Sequence, residues 1–140
     1  MLMPIKIKIC GVCKENTIEF CIDNSIDMIG FVFYQNSPRN ISISKAKNLF
    51  QEFGNQINIV GLVVDPKESL VKALIDEIGI NIIQFHGNEN LDELLTLKAK
   101  YDIQIIKAMN INVNIDKTEL IEYQNNMDYL LIDAPQPEES

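Results

Sequence analysis

Three short strings in this 140-residue chain run from apolar residues into a side chain that can carry a proton. They are Lys8-Ile9-Cys10-Gly11, Gln84-Phe85-His86-Gly87 and Leu130-Leu131-Ile132-Asp133-Ala134. A thiol, an imidazole and a carboxyl group suit acid–base chemistry, in which one positioned group takes a proton and another gives one. Each string reads as a β-strand finishing on its polar residue. In a repeat of strands and helices that finish lies on the face where barrels assemble their active sites. Cys10, His86 and Asp133 are therefore expected at one mouth although they are far apart in sequence.

The elements that must position them alternate between two periods. Residues 5–10 read as a strand with Lys6, Lys8 and Cys10 on one face and Ile5, Ile7 and Ile9 on the other. A helix is predicted over 14–24 on the stripe Ile18, Cys21 and Ile22, and a strand covered on both faces over 28–33. Ser42 opens a second helix carrying Ile43, Ala46, Leu49, Phe50 and Phe53, which Gly54 ends. Strand 57–64 follows. Asp65 is then the expected cap of a helix with Pro66 at its first position, Glu68 completing a capping box and Gly79 as its stop. Strand 80–85, a helix over 91–101, strand 103–108, a helix opened by Asp116 with Glu119 and carrying Leu120 and Ile121, and strand 129–134 complete the series. Five strand-helix units and a sixth strand predict an α/β protein with a parallel sheet and right-handed crossovers. An open doubly wound sheet usually carries a glycine-rich phosphate turn after its first strand. Cys10-Gly11-Val12-Cys13 is not such a turn, and a barrel is the better fit. Residues 1–134 are read as one partial barrel domain and 135–140 as a polar tail.

Composition narrows the partners. Hydrophobic residues make up 46% and charged residues 23%, an ordinary globular balance. A net charge of −8 argues against nucleic acid, whose phosphates need a basic surface. No apolar run approaches the roughly 18 residues of a membrane span, so no membrane partner is expected. Three cysteines and a start without a signal-peptide pattern point to the cytoplasm.

Six strings, in order, resemble the phosphoribosylanthranilate isomerase family of tryptophan biosynthesis, a (β/α)₈ TIM barrel. They are the three above, Gly30-Phe31-Val32-Phe33-Tyr34 running into Ser37-Pro38-Arg39, Val60-Gly61-Leu62-Val63-Val64, and Ile106-Lys107-Ala108. The resemblance implies an Amadori rearrangement of a phosphosugar, an aminoaldose becoming an aminoketose, with neither metal nor organic cofactor. It implies Asp133 as the acid that protonates the furanose oxygen and Cys10 as the base that takes the proton from C2. Arg39 would hold the anthranilate carboxylate, and Gln84 and His86, on one strand face, would contact substrate. Free thiols titrate near ~8.5 and free carboxyls near ~3.9. Lys8, on the face of Cys10, is the expected partner of a thiolate, and burial is expected to keep Asp133 protonated. Lys107 is read as structural, in the barrel interior, and stands outside the site.

Cys13 stands where the family usually has threonine, and the family's phosphate grip follows strands seven and eight, beyond Ser140. The barrel is thus expected to be incomplete. Its open edges suggest a homo-oligomer, or a complementing chain without which the fragment is inactive. Cys10-x-x-Cys13 also allows a thiol-disulfide protein, although a thioredoxin-type domain has mixed strands and fewer units. Zinc on Cys10, Cys13 and His86 lacks a fourth ligand of obvious spacing.

Overall fold

The computed structural model describes residues 4–111 and 116–133. The strands are β1 Lys8–Cys10, β2 Met28–Val32, β3 Asn58–Val63, β4 Ile82–Phe85, β5 Gln104–Asn110 and β6 Tyr129–Asp133. Between them run α1 Glu15–Asp23, α2 Ile43–Phe53, α3 Glu68–Ala73 (continued by a π-turn at Leu74–Ile78), α4 Leu91–Lys100 and α5 Lys117–Asn126. Every strand pairs in parallel with the next, in the order β1-β2-β3-β4-β5-β6. A doubly wound sheet reverses its order at a switch point. This one never does, so it winds in one direction as a barrel wall. Its curl brings the two outer strands within reach at the amino end, where Lys6 Nζ donates to Tyr129 Oη at 3.4 Å. The 135–140 tail lies outside the described residues.

The alternation of strand side chains makes two cores. One face packs on the helices through Ile29, Phe31, Ile59, Val63, Ile83, Phe85 and Ile105, joined by Ile18, Cys21, Leu74 and Leu94. The concave face holds a smaller cluster of Val60, Ile82 and Ile106, with Met28 and Leu131 against it. Cys10, Gly30, Gln84 and Asp133 share the parity of this inner set.

Some expected punctuation is corrected. Asp65 does not cap α3. The cap is Lys67, with no side-chain bond, and Asp65 sits at φ 42 with its N–H donated to Glu89 Oε2. A carboxylate 24 residues away thus displaces the local pattern. Gly79 does stop the π-turn, at φ 101. Gly54 ends α2 in a right-handed conformation. Asn90 and Glu93 form a reciprocal capping box on α4. Asp116 caps α5 through Thr118 N–H. Ile121 is exposed and Tyr123 supplies that helix's burial. Lys107 is structural but lies on the face of Ile105 toward the helices, not in the barrel interior.

Asp128 ties α4 to the sheet through Lys98 Nζ and through Ile105 N–H at 2.8 Å. Burial raises its pKa, but the Lys98 and backbone hydrogen bonds outweigh that and hold it below the ordinary 3.8. A carboxylate depressed in the folded state contributes stability above its unfolded pKa and loses it as pH falls through the folded one. Asp128→Asn is expected to cost about 1–2 kcal/mol at neutral pH. In thermal melts that deficit should shrink as pH drops below 3.8.

Candidate active site

Every strand points the same way, so β1 and β6 deliver Cys10 and Asp133 to the same carboxyl rim. The five expected residues gather there in two groups. In the first, Arg39 Nη1 donates to the backbone oxygen of Cys10 at 3.2 Å. Gly11 makes that approach possible. It sits at φ +79, and a Cβ there would lie 2.4 Å from Arg39 Cδ. The guanidinium therefore lies over the end of β1.

Lys8 and Cys10 both reach over Gly30 of the neighbouring strand. A Cβ on Gly30 would stand 3.1 Å from Cys10 Sγ and 3.3 Å from Lys8 Nζ. Amine and sulfur thus share one small space, as the strand alternation predicted for Lys8. Gly30, which no pattern in the sequence singles out, is what keeps that space open. Gly30→Ala must displace the thiol or the amine. It is expected to lower kcat/KM of the reaction proposed below by about tenfold or more, with the fold retained by circular dichroism.

The second group is a line of three. Gln84 Nε2 lies 3.3 Å from His86 Nδ1, and His86 Nε2 lies 3.6 Å from Asp133 Oδ2. Gln84 is 2% exposed, and its Oε1 has no hydrogen-bond partner among the described residues. Leaving a buried acceptor unpaired costs about 1–3 kcal/mol, which a donor from a bound molecule would relieve. The surround expected to bury Asp133 is not formed by the described residues, since its side chain is 49% exposed. No described hydrogen bond joins the Cys10–Arg39 group to the Gln84–His86–Asp133 line.

Cys10, Cys13 and Cys21 are all free thiols. Cys13 packs toward the helix-covered core, and the all-parallel sheet is not the mixed sheet of a thioredoxin-type domain. Among the described residues no three His, Cys, Asp or Glu side chains are grouped to hold a metal. No described helix is long and apolar enough to cross a membrane.

Comparison with known proteins agrees with this arrangement. The N-(5'-phosphoribosyl)anthranilate isomerase of Paramagnetospirillum magneticum is 28% identical over 135 residues, covering 96% of this chain and 63% of that protein. The phosphoribosyl anthranilate isomerase of Thermotoga maritima superposes with a TM-score of 0.81 at 25% identity, over 97% of this chain and 64% of that one. A phosphoribosyl anthranilate isomerase solved with reduced 1-(o-carboxyphenylamino)-1-deoxyribulose 5-phosphate gives a TM-score of 0.79 at 24% identity, over 95% and 66%. The chain thus spans a little under two thirds of the relative it matches. Residues 7–139 match the family described as N-(5'phosphoribosyl)anthranilate (PRA) isomerase, and the chain belongs to that family.

Proposed function

We propose that this chain catalyses, or supplies the catalytic rim for, the isomerisation of N-(5-phosphoribosyl)anthranilate to 1-(2-carboxyphenylamino)-1-deoxyribulose 5-phosphate in tryptophan biosynthesis. The observation that carries it is the placing of thiol, guanidinium, imidazole and carboxyl group on one rim of one curled parallel sheet. Family membership and the ligand of the related complex favour a phosphosugar as substrate.

The residues divide the work as follows. Asp133 gives a proton to the furanose oxygen. The C1–O bond breaks, and the anthranilate nitrogen lone pair forms the iminium. Cys10 as thiolate removes the proton from C2, and the electrons of that bond make the enolamine and neutralise the iminium. Tautomerisation leaves the ketone at C2. Lys8, over the same glycine as the sulfur, lies where it can stabilise a thiolate. Arg39, with one N–H spent on the Cys10 carbonyl, has the rest of its fork for the anthranilate carboxylate. Gln84 Oε1 accepts from a sugar hydroxyl, and His86 contacts the sugar beside Asp133. None of these steps calls on a metal or an organic cofactor.

A second reading, that turnover needs a polypeptide to close the ring, is favoured by the two outer strands. Among the described residues β1 and β6 each pair on one side only. Ile5 and Ile7 beside the first, and Ile132 on the second, are exposed. A second copy or a complementing chain would cover both. The experiment is consumption of fluorescent phosphoribosylanthranilate by the purified chain, alone and with a polypeptide carrying two further strand-helix units. Turnover by the chain alone supports the first reading, and turnover only with the added polypeptide supports the second. No turnover in either mixture overturns both.

A further inference from the structure

The chemistry above leaves unused a buried ion pair below the rim. Lys107 Nζ lies 2.9 Å from Glu89 Oε1, with side chains 6% and 5% exposed. Burying such a pair roughly breaks even against apolar side chains of the same volume, so stability does not account for it. What the pair holds is backbone. Glu89 Oε1 also accepts Gly87 N–H at 3.0 Å, and its Oε2 accepts Asp65 N–H at 2.8 Å. Lys107 Nζ donates as well to Gly87 O at 2.8 Å. Asp65 Oδ1 accepts Asn88 N–H at 2.8 Å, and Tyr123 Oη donates to Glu89 O at 3.1 Å. Asp65 is kept at φ 42, a region non-glycine residues seldom occupy unless their surroundings compel it. The segment following His86 is thereby fixed to the loop after β3, to β5 and to α5.

Among the described residues the His86 ring has only long polar contacts. The side chain is 37% exposed, and its two contacts, at 3.3 Å and 3.6 Å, are longer than strong hydrogen bonds. Its backbone N–H is secured on Val63 O at 2.9 Å. Where the imidazole stands is therefore decided by the backbone on either side of it.

We propose that Glu89 and Lys107 are positioning residues for His86: together they lock the segment 87–89, and so hold the imidazole between Gln84 and Asp133. The kinetic consequence rests on the isomerase reading; the structural one does not. The chain has a single histidine, so its ring resonances are unambiguous in NMR. The variant to make is Glu89→Gln/Lys107→Met, because removing one charge alone would strand the other in the interior. In wild type the backbone amide order parameters of residues 86–89 are expected near the rigid value of about 0.85. In the folded double variant they should fall below about 0.6, with nuclear Overhauser contacts from the His86 ring to Gln84 and Asp133 lost. Where the chain turns over, kcat/KM should drop about tenfold or more, since His86 contacts the sugar beside Asp133.

A folded double variant with unchanged order parameters over 86–89 and unchanged ring contacts overturns the proposal. In the wild-type chain the amides of Asp65, Gly87 and Asn88 should resist hydrogen exchange as well as those of β4 do. Exchange at the rate of an open loop overturns it too, whether or not the variant folds. A chain with no isomerase activity leaves both NMR readouts standing, so failure of that reading is recognised separately.

Discussion

Cys10→Ala is expected to lower kcat by about 10²- to 10⁴-fold, the usual worth of a positioned general base. Among the described residues, neither of the other two cysteines nor Lys8 is placed to take over its proton. Cys21 is fully buried in α1, where desolvation raises its thiol, and Cys13 packs toward the helix layer. Lys8 shares the space over Gly30, but as a cation it has no lone pair to offer. The contacts proposed to bind substrate lie elsewhere, on Arg39, Gln84 and His86, so KM should change little. Cys10→Ser should fall nearly as far, because a hydroxyl ionises much less readily than a thiol. Steady-state assay of the fluorescent substrate, with circular dichroism to show an intact fold, separates the two parameters. A Cys10→Ala chain retaining more than about a tenth of wild-type kcat would assign the base elsewhere.

Asp133→Asn tests the acid with a change of almost no volume. The amide keeps a hydrogen-bonding group at the end of β6 opposite His86, but it has no acidic proton to give. The expected loss is again about 10²- to 10⁴-fold in kcat. The two variants stop the reaction at different points. Without Asp133 the furanose stays closed, so C2 is never activated. Without Cys10 the ring opens, but the C2 proton stays in place. Combining them should cost little more than the worse single change, because groups acting in sequence on one substrate are not additive. A double variant whose losses multiply would mean that the two contribute independently to one and the same barrier and not to successive steps.

Much of the rim was legible because strand periodicity is strict. The alternation of Lys6, Lys8 and Cys10 with Ile5, Ile7 and Ile9 already put lysine and thiol on one face, and the parallel order put every strand end on one rim. The same parity assigns Lys107 to the face of Ile105, so its misplacement in the barrel interior was avoidable. Asn90-x-x-Glu93 was likewise a readable capping box. Asp65-Pro66-Lys67-Glu68 was not, since it carries a helix-start pattern that a distant carboxylate overrides. The brace around Glu89 joins residues 18 and 24 positions apart through single hydrogen bonds, and no local pattern encodes such pairings. The exposure of Asp133 and Ile132 depends on what lies beside β6, which no reading of that strand alone can supply.

The most direct measurement is the fate of deuterium carried at C2 of phosphoribosylanthranilate, followed by mass spectrometry in the wild-type chain and in Cys10→Ala under the conditions that support turnover. Wild type should break the C2–deuterium bond more slowly than the C2–hydrogen bond and proceed to product, while Cys10→Ala leaves the label where it was. Release of the label by Cys10→Ala at the wild-type rate would contradict the assignment of that thiol as the base.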